Sequence, residues 1–151
     1  MLRDPSLAPL SRQHHNGLAL CVLTRRSLAR DSSAENVAKL AQGVIDAHEL
    51  ELVPHFAIEE EVLFPACGPM AMIDELVREH RALEALAAQL RTAPSAARLE
   101  EFCALLSGHI RREESEFFEQ IQHALPREAL DRAGSEIERR AARMCHSDPR
   151  R

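Results

Sequence analysis

The sequence predicts an all-α fold: an up-down-up-down four-helix bundle followed by an additional short C-terminal helix. Three observations carry that expectation. Gly is scarce, at 5 of 151 residues, while long segments rich in Ala, Leu, Glu and Arg dominate. Four of those segments repeat apolar residues at the spacing of one helix face. The connections between them are short and contain Pro, Ser, Asp or Gly, which favours antiparallel neighbours. A chain of this length forms one domain, residues 1–151, with the bundle over about 7–124 and the last helix and tail over about 127–151.

Residues 1–10 contain Pro5 and Pro9 and read as an irregular lead-in. The first helix is expected from about Ser11, its N-cap, to about Arg30, with Leu18, Cys21, Val22 and Leu28 on its apolar face. Asp31-Ser32-Ser33 makes a turn whose last residue caps the second helix. That helix is expected over about residues 34–64, with a stripe of Val37, Leu40, Val44, His48, Leu52, His55, Glu59 and Val62. Pro54 lies inside it and predicts a kink or a break just ahead of His55. Phe64-Pro65 ends it, and Cys67-Gly68-Pro69 forms the loop. The third helix, about residues 71–91, keeps Ile73, Leu76, His80, Leu83, Ala87 and Leu90 in phase. After a turn at 92–95 the fourth runs to about residue 124, where Pro126 stops it, and buries Phe102, Leu106, Phe117 and Ile121. The final helix, about residues 127–144, gathers Leu130, Ala133, Ile137, Ala141 and Met144 on one side. That side either packs on the bundle or pairs with a second copy of the chain as a homodimer. Residues 145–151 read as a frayed tail.

Composition excludes several classes. The net charge is −5, without a sustained basic stripe, which argues against a nucleic-acid partner. No apolar run is long enough to span a membrane and the N-terminus lacks a signal-peptide core, so a cytoplasmic protein without a membrane partner is expected. The four cysteines are scattered, with no C-x-x-C, and read as reduced thiols. The chain has no Trp and no Tyr, which rules out a radical relay through either ring.

The chemistry concentrates in His-x-x-x-Glu pairs, which put an imidazole and a carboxylate one helical turn apart on the same face. Three occur: His55/Glu59, His80/Glu84 and His109/Glu113. The first and third are in phase with the apolar stripes of their helices, while Glu84 drifts toward the exposed side. An unpaired buried carboxylate costs several kcal/mol, so these acids require a partner, a proton or a metal. Two such pairs facing one core suggest two carboxylates bridging a pair of metal ions. In an antiparallel bundle His14 lies level with Glu59, and His80 level with Glu113, at ~1.5 Å of rise per residue. His14 and His15 are both candidates on the first helix, with His14 in phase with Leu10 and Leu18. Glu60, Glu61 and Glu114 read as exposed charges or as partners of the ligands. His48 lies ~10 Å along the helix from His55, too far to share ions spaced ~3.5–4 Å, and reads as a hydrogen-bonded core histidine. Imidazoles combined with bridging carboxylates point to Fe, with Mn or Zn ranked below it.

The run His55-Phe56, Glu59-Glu60 and Leu63-Phe64-Pro65 resembles the hemerythrin-like cation-binding family, named for its His-His-Glu pattern. Leu10-Ser11-Arg12-Gln13-His14 is similar to the family's first-helix pattern, Glu79-His80-Arg81-Ala82-Leu83 to the third, and His109-Ile110 with Glu113 to the fourth. The resemblance implies a non-haem di-iron centre of two Fe ions. His14, His55, His80 and His109 would be terminal ligands, and Glu59 and Glu113 would bridge. It also implies a small diatomic or oxidant ligand: oxygen, nitric oxide or peroxide. Oxygen-carrying hemerythrins place a further His where this chain has Leu76, which implies an open position on one iron. Two functional readings follow. One is a module that binds or senses oxygen, nitric oxide or iron; the other is a di-iron oxidase, a peroxidase or a repair factor for oxidative and nitrosative damage. Repair members carry adjacent N-terminal cysteines, which the residues ahead of the first helix do not include.

Overall fold

The computed structural model describes residues 2–147, with side chains described through residue 144. Five helical rods follow one another: α1 (Ala8–Arg30), α2 (residues 34–67), α3 (Ala71–Thr92), α4 (residues 96–124) and α5 (Arg127–Ser147). The first four form the up-down-up-down bundle; α1 packs most extensively on α4, and α3 on α4 and α2. Among the described residues no helix is long and apolar enough to cross a membrane.

Local chemistry sets the boundaries. Ser33 caps α2, its hydroxyl accepting from the Asn36 N–H at 3.2 Å, and Ser95 caps α4 through the Arg98 N–H at 3.1 Å. Ser11 is not the cap of α1. That helix starts at Ala8 and takes Pro9 into its first turn, where a missing N–H costs nothing. The buried stripe of α1 is Leu10, His14, Gly17, Cys21, Thr24 and Leu28, which leaves Val22 one position off it and 47% exposed. Gly17 permits the close approach to α4, because a Cβ there would lie 2.9 Å from Ile110 Cδ1.

α2 and α4 are not uniform. α2 changes to π geometry at His48–Leu52 and at Glu59–Leu63, and α4 does so at Glu113–Phe117. Pro54 therefore does not break α2. It sits in the first turn of the α-helical piece Val53–Ile58 that follows a π turn. Pro65 does not end the helix either; it occupies the same kind of position in Phe64–Cys67, so Cys67 is helical and not in a loop. The rod ends at Gly68, whose φ of 71° is open to glycine.

The lead-in is pinned rather than loose. Arg3 donates to the Glu114 carboxylate at 2.8 Å, and Arg127 of α5 pairs with Asp4 at 2.7 Å. On α5, Leu130, Ala133 and Ile137 are buried against the chain itself, while Ala141 and Met144 of the same face stay half-exposed. The helix continues to Ser147, past the expected end at Met144; the tail reading of residues 148–151 lies outside the described residues. Two apolar clusters fill the interior. One joins Cys21, Val44, Leu83, Phe102 and Leu106, and the other Leu10, Leu63, Leu76, Phe117 and Ile137. A layer of buried polar groups lies between them.

Candidate metal centre

Each bundle helix turns one imidazole into that layer: His14 from α1, His55 from α2, His80 from α3 and His109 from α4, all at most 3% exposed. The acids Glu59 and Glu113, one turn beyond His55 and His109, are fully buried. The Nε2 atoms of His14 and His55 lie 3.0 Å apart, and those of His80 and His109 3.2 Å apart. Glu59 reaches both pairs: Oε1 lies 2.6 Å from His55 Nε2 and 3.6 Å from His14 Nε2, and Oε2 lies 3.2 Å from His80 Nε2. Glu113 spans the same gap from the other side. Its Oε1 touches His109 Nε2 and lies 4.0 Å from His80 Nε2, and its Oε2 lies 3.8 Å from His14 Nε2.

The other ring nitrogen of every imidazole is taken. Nδ1 of His14 meets Glu114 at 2.6 Å, Nδ1 of His55 meets the Gln13 amide oxygen at 2.6 Å, Nδ1 of His80 meets Glu60 at 2.7 Å, and Nδ1 of His109 meets Glu79 at 2.9 Å. These contacts run around the bundle in one sense, with α1 supporting α2, α2 supporting α3, α3 supporting α4 and α4 supporting α1. Each holds its ring with Nδ1 outward and Nε2 facing the cluster, where Nε2 offers its lone pair once a cation displaces the proton. The carboxylates of this ring are backed by guanidinium groups: Arg3 on Glu114, Arg81 on Glu60, and Arg112 on Glu79 at 3.2 Å.

Burial alone would depress the imidazoles, yet the surrounding carboxylates more than reverse it. Glu114 and Glu59 hold His14 up to about 9, Glu113 and Glu59 hold His80 up to about 9, and Glu113 and Glu79 hold His109 up to about 10. Burial pushes Glu59 upward, but the His55 and His14 rings hold it well below the ordinary carboxylate range. Glu59 and Glu113, both fully buried, meet imidazoles of the two pairs as ion-pair partners. Two sets of donors lie mutually within 4.8 Å: Glu59, His80, His109 and Glu113; and His14, His55 and Glu59. Four converging Nε2 atoms, two fully buried acids and an outer partner on every Nδ1 fit a pair of cations, and the N/O donor set fits iron.

His15, the alternative on α1, is exposed and outside the cluster. Glu84 is exposed and pairs with Arg81 at 3.0 Å. Glu114 stands behind His14 rather than among the inner oxygens. His48 is buried edge-on to Phe102, but its Nε2 has no hydrogen-bond partner, contrary to the expectation of a bonded core histidine. Gln13 and Glu79 are the supports that sequence reasoning left unassigned. Each directly precedes a ligand-type histidine, and that adjacency is the available signal.

Four imidazoles and two carboxylates buried inside a helical bundle form clusters able to coordinate metal ions between the helices. The chain matches the hemerythrin HHE cation binding domain over residues 7–121 and belongs to that family. Neither a curated protein nor a solved structure matches it.

Proposed function

We propose that the protein is a hemerythrin-like di-iron protein that binds or senses a small ligand, oxygen or nitric oxide, or iron itself. The observation that carries this reading is the pair of fully buried carboxylates, each reaching toward imidazoles of both pairs. His14 and His55 would hold one ion, His80 and His109 the other, with Glu59 and Glu113 shared. When bound, such a pair supplies one-electron redox chemistry and exchangeable positions for a small ligand.

The residues of the chain prepare that site in three ways. The outer hydrogen bonds orient the rings, so little reorganisation accompanies binding. Phe118 stacks on His14 with centroids 5.5 Å apart, and Phe56 stacks on His80 at 3.9 Å, which keeps bulk water from the rings. Leu76, fully buried one turn before His80, contributes an apolar wall and no donor. A centre with fewer protein donors than coordination positions is suited to an exchangeable ligand.

The test is elemental analysis of protein purified without added metal, followed by azide titration of the oxidised form. Two iron ions per chain and a new visible charge-transfer band on azide addition are expected. Absence of any bound transition metal would remove the reading.

A further inference from the structure

The ring of outer hydrogen bonds has one link unlike the rest. Three imidazoles rest on carboxylates, whereas His55 rests on the Gln13 amide. A carboxylate accepts whichever way it turns. An amide accepts at one end and donates at the other. With Oε1 toward His55, Nδ1 donates and the Nε2 lone pair faces the cluster. Turned over, the amide would donate to Nδ1 and move the ring proton to Nε2, where it blocks ligation.

What selects the productive orientation is the other end of the amide. Gln13 Nε2 lies 3.3 Å from Met144 Sδ, and a thioether sulfur accepts but cannot donate. Met144 belongs to α5, outside the four-helix bundle. Gln13 and Met144 also line a cleft of about 450 Å³ between α1, α2 and α5, together with Arg12, Asn16, Leu50 and Glu138. The link is therefore set from a helix and a cavity that carry no ligand of their own.

Donor proximity points the same way. His80 and His109 gather with both Glu59 and Glu113 inside 4.8 Å, whereas His14 and His55 gather mutually with Glu59 alone, Glu113 approaching only His14, at 3.8 Å. A neutral amide also raises the basicity of its imidazole less than a carboxylate does. Resting on the dinuclear reading above, we propose that Gln13, oriented by Met144, is the positioning residue for His55, and that it makes the His14/His55 position the weaker metal position and the one that responds to α5.

The experiment is a Co²⁺ titration of the metal-depleted full-length chain, followed by d–d absorption and by competition with a chromophoric chelator. Two equivalents are expected, the second at least about tenfold weaker, the scale of outer-partner effects on metal affinity. Gln13→Glu removes the two-ended ambiguity and should tighten the weaker equivalent by about tenfold while leaving the first unchanged. Met144→Leu keeps the packing but removes the acceptor, and should loosen only the weaker equivalent. Combined with Gln13→Glu it should have no further effect. Equal affinities in the parent, or a Met144→Leu loss of the same size in both backgrounds, would overturn the proposal while leaving the dinuclear reading intact. Fewer than two equivalents in the parent would overturn both. If Gln13→Glu does not fold, Met144→Leu alone decides: a loss confined to the weaker equivalent supports the proposal, and a loss spread over both overturns it.

Discussion

α2 and α4 both carry a His-x-x-x-Glu pair, and in both the helix passes into π geometry at the acid itself: Glu59–Leu63 in one, Glu113–Phe117 in the other. In each the carbonyl of the acid accepts the N–H five residues on, from Phe64 and from Phe118. α2 has prolines at 54 and 65, and α4 has none. The shared π turn therefore belongs to the ligand pair and not to proline. Its effect is visible downstream. The wider turn lets the residues four and five after the acid both face inward, so Leu63 with Phe64, and Phe117 with Phe118, are all buried. One phenylalanine of each couple then lies parallel to an imidazole from another helix: Phe64 to His80 with centroids 6.1 Å apart, and Phe118 to His14 at 5.5 Å.

The largest expected effect breaks the shared function of the two acids. Glu59→Ala and Glu113→Ala should each reduce bound metal from two ions per chain to one or fewer, read by elemental analysis after gel filtration. Glu59 comes within 2.6 Å of one imidazole pair and 3.2 Å of the other, whereas Glu113 touches His109 but stays 3.8 Å from His14, so loss of Glu59 should be the more severe. Retention of two ions by either variant would refute the bridging role. Next in size are the rings that the π turns deliver. Phe64→Ala and Phe118→Ala should each cost about 3–5 kcal/mol in urea unfolding, the usual range for deleting a buried phenylalanine. A loss below about 1 kcal/mol at one of them would show that its turn does not serve the core.

How much of this the sequence showed follows from what helical phase can reveal. His14, His55, Glu59, His80, His109 and Glu113 each repeat the spacing of apolar neighbours, so a uniform 3.6-residue period places them all inward. The π turns are invisible to that reading because it treats a helix as uniform; hence the expected stop at Pro65 and the choice of Val62 rather than Phe64 for the core. Gln13 and Glu79 escaped for another reason. They support imidazoles on different helices, and no spacing within one helix encodes a contact across two. Val22 shows the limit of phase itself: a residue one position off the stripe faces solvent however apolar it is.

The start of each rod offers a smaller comparison. Ser33 and Ser95 cap α2 and α4 with the same hydroxyl-to-N–H contact three residues on. Ser33→Ala and Ser95→Ala should each lower stability by about 1 kcal/mol, with metal content unchanged. A difference between them beyond about 1 kcal/mol would mean that one start is held by packing rather than by its cap.

The smallest effect concerns the one π turn that α2 has and α4 lacks, His48–Leu52, where the Val53 N–H reaches the His48 carbonyl just ahead of Pro54. Proline could cause it, since the ring cannot donate to the preceding turn and crowds it. Packing could equally hold it. Val37, Ala41 and Val44 face the core before the turn, and Leu52, His55 and Glu59 face it after. Removing the extra residue from the turn would rotate one stripe against the other by about 100°. Exposing those apolar side chains would cost several kcal/mol, at about 25 cal/mol per Å². The backbone hydrogen bond regained at residue 54 is worth only about 1 kcal/mol. Packing should win. Pro54→Ala is therefore expected to keep the metal content of the parent and to shift unfolding stability by less than about 1 kcal/mol, with fast amide exchange at residue 54. A variant that loses metal, or that protects the new amide strongly, would assign this turn to proline and make α2 and α4 different in kind.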